Sequence, residues 1–267
     1  MNFSNLISHI DPLYVMSGVL VGALVGFTGV GGGSLMTPIL ILLFGIHPAT
    51  AVGTDLLYAS VTKTAGSAVH GFNGTIDWKV VGRLALGSVP MTALTILFLW
   101  WMGIDSKGAQ TVITKVLGVA LFLAAVALFL RKPLMEVYDR RIGELPVRRV
   151  FWLTVITGAV LGILVTISSV GAGAIGVTIL VLLYPKMPAR QIVGSDVAHA
   201  VPLTLIAGLG HSFLGTVNYG MLASLLVGSL PAIVVSSIAA ARASDTTVRV
   251  ALACVLLLVC ARLWFLH

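Results

Sequence analysis

Inside otherwise apolar sequence the chain sets Gly26-Phe27-Thr28-Gly29-Val30-Gly31-Gly32-Gly33-Ser34, and a weaker copy follows as Thr166-Ile167-Ser168-Ser169-Val170-Gly171-Ala172-Gly173-Ala174. Glycine exposes its peptide groups and gives up the most backbone freedom on folding, so neither cluster carries a stable helix through. In lipid, the freed N–H and C=O groups need protein or a water-filled cavity to satisfy them. Composition makes lipid the surroundings: 58% of the 267 residues are hydrophobic and 9% charged, with mean hydropathy +1.07, whereas soluble domains carry about 25% charged residues. No polar block is left for a soluble domain, and the chain reads as an all-α polytopic membrane protein. The first ten residues hold no Lys or Arg and the first cation is Lys63, so a cleaved signal peptide is not expected.

Apolar runs of about 20 residues, the length that crosses a bilayer, fall at Asp11–Val30, Val52–His70, Val80–Met102 and Ala109–Leu130, with a shorter piece at Ser34–Ile46. A polar connector containing Pro133 and Pro146 runs from Arg131 to Arg149. The second half repeats the order as Val150–Val170, a short Ala174–Leu183, Ile192–His211, Tyr219–Ala241 and Val248–Phe265. At an offset of 140, Gly31, Gly33, Leu40 and Pro48 fall on Gly171, Gly173, Leu180 and Pro188. At 141, Val52-Gly53-Thr54-Asp55 falls on Val193-Gly194-Ser195-Asp196, His70 on His211, Gly74-Thr75 on Gly215-Thr216, Gly87-Ser88 on Gly228-Ser229 and Pro90 on Pro231. Apolar sequence matches leucines by chance but does not keep Pro, His, Asp and Gly in register. The expected organisation is a transmembrane repeat over 1–130, a cytoplasmic connector over 131–149 and a second repeat over 150–267, each with about five elements of which the second is short or re-entrant.

Basic residues mark the cytoplasmic side. With five elements per half and a cytoplasmic connector, that side holds Lys79, Arg83, Arg131, Lys132, Arg140, Arg141, Arg148, Arg149, Lys186, Arg190, Arg242 and Arg249, and the other only Lys107, Lys115 and Arg262. Fusing each short piece with its predecessor would make the repeats parallel and export Lys186 and Arg190. Two inverted repeats, with both termini outside the cytoplasm, are therefore expected. The formal charge of +7 is explained by these segment ends and does not point to nucleic acid.

A charge at mid-span costs roughly 2.5 to 3.5 kcal/mol on insertion scales, which makes intramembrane ionisable groups functional candidates. Asp55, Ala59, Thr62, Lys63, Gly66 and His70 share one helical face, and Asp196, His199, Ala200, Thr204 and His211 share the matching face of the second half. Lys63 can neutralise an anion in a cavity or pair with Asp55 or Asp196 and hold helices together. Thr54, Asp55, Ser195 and Asp196, expected near helix starts, can cap those helices; the two aspartates, with His199, are also candidates for proton coupling or gating. His70 and His211, at segment ends, read as structural or interfacial. A helix restarting after a glycine break aims free N–H groups and its dipole into the gap and favours an anion there. Gly31, Gly32, Gly33, Ser34, Ser168, Ser169, Gly171 and Gly173 are thus candidate substrate-binding residues, together with Thr54, Lys63 and Ser195. Close helix packing through small residues is the competing reading of the glycines. Neither a dinucleotide fingerprint nor a phosphate loop fits the spacing, and no zinc-type His/Cys cluster occurs. Cys254 and Cys260 turn to different faces of the last segment, so neither a disulfide nor a metal pair is expected.

The run Gly29 to Ser34 with Pro38, the Ala51-Val52-Gly53-Thr54 start of the third element, and their return in Gly171-Ala172-Gly173 and Val193-Gly194-Ser195 resemble the TauE/SafE sulfite exporter family of membrane transporters. The resemblance spans roughly Asp11 to Arg262 and implies a multi-pass secondary carrier of the bacterial inner membrane, proton-driven, for sulfite, sulfoacetate or other sulfonates. It also implies that the Gly31–Ser34 and Ser169–Gly173 loops line the substrate site. Asp55 and Asp196 depart from the small polar residue of many members, which opens the cargo to question. The expected partners are a small anionic substrate and membrane lipid, with self-association allowed. No cofactor is called for and no enzyme constellation is found; the alternative is a channel or a carrier for another anion or a metal ion.

Overall fold

A computed structural model of the chain describes residues 10–28, 33–104, 106–141, 145–239 and 257. The described secondary structure is helical: α1 (Pro12–Thr28), α2 (Gly33–Phe44), α3 (Pro48–Phe72), α4 (Trp78–Met102), α5 (Lys107–Arg141), α6 (Val147–Ser168), α7 (Ile175–Leu183), α8 (Ala189–Phe213) and α9 (Tyr219–Ala239). Among the described residues, α4, α6 and α8 with Lys107–Leu130 of α5 and Tyr219–Ser236 of α9 are long and apolar enough to cross a bilayer. The 25 residues of α3 reach roughly 37 Å, also sufficient, but its polar stripe lowers its hydropathy. In contrast, α2 and α7 have 12 and 9 residues, roughly 18 and 14 Å against a hydrocarbon core of about 30 Å. They are the short second elements of the two halves.

The polar connector starts inside a helix, since α5 continues to Arg141. Apart from residue 257, the Val248–Phe265 segment with Cys254 and Cys260 lies outside the described residues, as do Gly31 and Gly32.

Small residues set the packing. Gly18 and Gly22 of α1 lie on the backbone of Leu225 and Ser229 of α9, while Gly158 and Gly162 of α6 lie on that of Leu84 and Ser88 of α4. Gly228 and Gly87 answer from the other side, against Val15 and Val155. A methyl group at any of these glycines would strike facing backbone, the close approach that membrane helices use in place of a hydrophobic driving force. These contacts interconvert under the offsets of 140 and 141, and within each pair the numbers rise together, so α1 runs parallel to α9 and α6 to α4.

The central pair behaves differently. Gly66 meets Val197 and Leu57 meets Gly208, so α3 and α8, the equivalent elements of the two halves, run antiparallel. Each end is pinned by the same device: Thr54 Oγ1 accepts from Asn218 N at 3.0 Å, and Ser195 Oγ accepts from Asp77 N at 2.8 Å. Bulky apolar side chains such as Leu94, Leu97, Trp100, Trp152 and Val235 are exposed on the outer helices, where lipid would cover them.

Candidate functional site between the halves

The glycine break of the second half is fully described. Helix α6 stops at Ser168, and Ser169 turns left-handed with φ 58 while its N–H reaches Val165 O at 2.7 Å. Gly171 and Gly173 follow at φ 131 and 104, backbone that side chains rarely adopt, before α7 starts at Ile175. Ser168 stitches this break: its hydroxyl donates to Leu164 O at 2.6 Å and its oxygen accepts from Val170 N at 3.2 Å. Ser169 is buried, with its hydroxyl beside the Asp55 carboxylate. In the first half Gly33 and Ser34 form the opening turn of α2.

Each aspartate addresses the short helix of its own half. Asp55 Oδ2 accepts from Thr37 N at 3.1 Å and from Thr37 Oγ1 at 2.5 Å, tying α3 to α2. Asp196 lies against Gly176 in the opening turn of α7, with the Gly173 N–H beside it. A carboxylate at a helix N-terminus is held by the free N–H groups and the dipole, so the anion that α7 faces is one the chain itself supplies. The caps expected on α3 and α8 are not formed. Those helices start earlier, at Pro48 and Ala189 after Pro188, because proline's fixed φ and missing N–H suit a helix start.

Lys63 lies between the aspartates. It is 4% exposed and interacts electrostatically with Asp196 first and Asp55 second. The midpoints of the Gly66–Val197 and Leu57–Gly208 contacts fall near residues 61–62 of α3 and 202–203 of α8, which places Lys63 at the centre of the antiparallel pair. Buried polar side chains lie along both helices of the pair. His199, next to Lys63, shares a 2.8 Å hydrogen bond through Nε2 with Ser88 Oγ and leaves Nδ1 without a partner. Tyr58, its equivalent, faces Ser229, the equivalent of Ser88. Asp55 Oδ1 and Thr92 Oγ1 are likewise buried without a partner. Buried polar atoms in native folds are nearly always satisfied, so each exception calls for an explanation.

The sequence profile of the family described as Sulfite exporter TauE/SafE matches residues 14–263. The chain belongs to this family. It is similar to the probable membrane transporter protein YjnA of Bacillus subtilis (strain 168), 38% identical over 91% of this chain and 95% of the relative. It is also similar to the probable membrane transporter protein MJ0441 of Methanocaldococcus jannaschii, 27% identical over 85% of this chain and 81% of the relative. No solved structure matches. With its helices, this makes the TauE/SafE chain a multi-pass membrane transporter.

The other residues singled out in this TauE/SafE chain have partners of their own. Thr54 and Ser195 pin the loops that follow α8 and α3, and Ser195 also donates to Gln191 O at 2.7 Å. His70 Nδ1 and His211 Nδ1 meet Thr75 and Thr216 hydroxyls at 2.8 and 3.0 Å, and His211 Nε2 meets Thr166 O at 3.0 Å. These histidines secure the ends of α3 and α8. Thr37 and Thr92 were not legible as site residues, since their counterparts Val177 and Ile233 are apolar. Ser88 and Ser229 carried a signal, having stood in register in the duplication. Among the described residues no group of three His, Cys, Asp or Glu side chains is placed to hold a metal ion.

Proposed function

We propose that this protein is a proton-coupled secondary carrier of small sulfur-containing anions, such as sulfite or organosulfonates, across the bacterial inner membrane by alternating access. One observation carries the reading: a single buried lysine at the centre of two equivalent, oppositely running helices, flanked by one carboxylate from each half. Two inverted repeats exchange conformations when the carrier turns over, and the antiparallel α3–α8 pair supports that arrangement here. Lys63 and Asp55 share α3, so exchange would change the distance from Lys63 to Asp196 on α8. Lys63 has no equivalent cation, since Thr204 occupies its place in α8, so one lysine serves both conformations.

Charge balance supports proton coupling. One lysine and two ionised carboxylates carry a formal charge of −1, and a monoanion joins such a buried cluster only if protons arrive with it. Asp55 and Asp196 take these protons, with His199 beside Lys63 as a relay. Lys63 then faces the substrate, with Ser169 and the amides of the two glycine breaks as oxyanion donors, Gly31 to Ser34 and Gly171 among them and Gly173 once a protonated Asp196 gives it up. Protons and anion travel together, so the direction follows their combined gradients and turns outward when the anion accumulates inside.

The test is sulfite flux in proteoliposomes with an imposed proton gradient. Lys63→Ala abolishes flux while the protein stays monodisperse; normal flux in that variant removes Lys63 from the mechanism. The excess of carboxylate over lysine favours one second reading, a carrier or channel for a cation, which would show cation flux with no sulfur anion present.

A further inference from the structure

A second basic site lies at one end of the bundle, away from Lys63. A pocket of about 410 Å³ is lined by Arg83 of α4, Val147 and Val150 of α6, and Leu183, Tyr184 and Lys186 at the end of α7, among others. Its walls are mostly apolar. Arg83 is held in place: Nη1 donates to Tyr184 Oη at 3.1 Å, that oxygen shares a 2.8 Å hydrogen bond with Thr154 Oγ1, and the guanidinium lies 5.7 Å from the centre of the Phe151 ring. Among the described residues no carboxylate lines the pocket.

The duplication supplies an internal control. The Thr154–Tyr184 and Phe151–Arg83 contacts correspond to Tyr14–Phe44 and Asp11–Ser224, and both equivalents are formed at the opposite end. There the Tyr14 and Phe44 rings meet at 4.9 Å, tilted by 44°, and Asp11 N donates to Ser224 Oγ at 3.1 Å. Ile46 stands where Lys186 stands. The equivalent positions therefore touch without a cation, so closing this end of the bundle does not by itself call for an arginine at 83.

We propose that this pocket binds the phosphate headgroup of an anionic phospholipid. An arginine oriented by Tyr184 offers a planar fork of donors suited to phosphate oxygens, and the apolar walls suit the first carbons of the glycerol and acyl chains. Trp78 and Trp152, on the helices that carry Arg83 and Val150, are exposed, as interfacial tryptophans are. Its end of the molecule also carries Lys79, Arg148, Arg149 and Arg190 at the starts of α4, α6 and α8, a charge complement to an anionic leaflet.

Native mass spectrometry of the intact protein, titrated with phosphatidylglycerol or phosphatidylcholine, tests the proposal. The wild type holds phosphatidylglycerol in preference, Arg83→Gln weakens that binding about five-fold, and Ser224→Ala at the equivalent site leaves it unchanged. Should Arg83→Gln fail to purify as a monodisperse protein, Lys186→Gln is read in its place with the same expectation. Equal retention of the two lipids, or unchanged binding in the charge-removed variant, overturns the proposal. So does displacement of phosphatidylglycerol by millimolar inorganic phosphate or sulfite, which would make the pocket a site for free anions.

Discussion

Lys63 and its two carboxylates pose a burial problem that the proposed mechanism turns to use. Removing one partner from a set of buried charges leaves the rest uncompensated, at a cost of about 3 kcal/mol or more. Lys63→Met is expected to lower stability by that order in thermal or denaturant unfolding, and Lys63→Met with Asp196→Asn to regain much of it. Neither variant is expected to move sulfite; recovery of flux in the double variant would make the lysine merely structural. Thr37 is the other informative residue, because it gives both its N–H and its hydroxyl to Asp55. Thr37→Val removes the hydroxyl donor from a buried carboxylate and is expected to destabilise by about 1 to 3 kcal/mol, measured against Thr64→Val on the exposed face of α3.

Among the helices, small residues decide which pairs approach and how closely. Gly87→Ala and Gly158→Ala each push a methyl into the backbone of the partner helix across the α4–α6 contact, and each is expected to destabilise by about 1 to 3 kcal/mol or more. Gly82, on the same α4, has open space around its missing Cβ. Gly82→Ala is expected to be neutral or to stabilise by about 0.5 to 1 kcal/mol, since only the helix preference of alanine is felt. Thermal unfolding of the three variants in one detergent separates contact from propensity. The glycine-rich break obeys a different rule: Gly171 and Gly173 end a helix through left-handed backbone, whereas Gly87 and Gly158 lie inside continuous helices. One residue type thus makes a helix break at some positions and close packing at others.

For the whole molecule, the antiparallel course of α3 and α8 makes a topological prediction. Phe72 and Phe213 are equivalent, stand at the ends of α3 and α8, and are 93% and 92% exposed. In a cysteine-free background, Phe72→Cys is expected to react with a membrane-impermeant maleimide only from the cytoplasmic side, where Lys79, Arg83, Lys186 and Arg190 cluster. Phe213→Cys is expected to react only from the opposite side. Labelling of both from one side would sink the inverted arrangement and with it the proposed exchange of conformations between the halves.

The sequence determined the class, the duplication and the face that carries charge, because each depends on local order alone: apolar run length, register under a constant offset, and the helical spacing of Asp55, Lys63 and His70. It also carried the true starts of α3 and α8, in Pro48 and Pro188, though the aspartates drew the cap reading away from them. Only the tertiary structure decided where the hydroxyls and carboxylates spend their hydrogen bonds. Thr54 and Ser195 became pins between halves, Asp55 a tether to α2, and Arg83 the fixed wall of a pocket with no cationic twin. Such partners lie on other helices and are settled by which helices pack side by side and in which sense, which no spacing along one helix can specify.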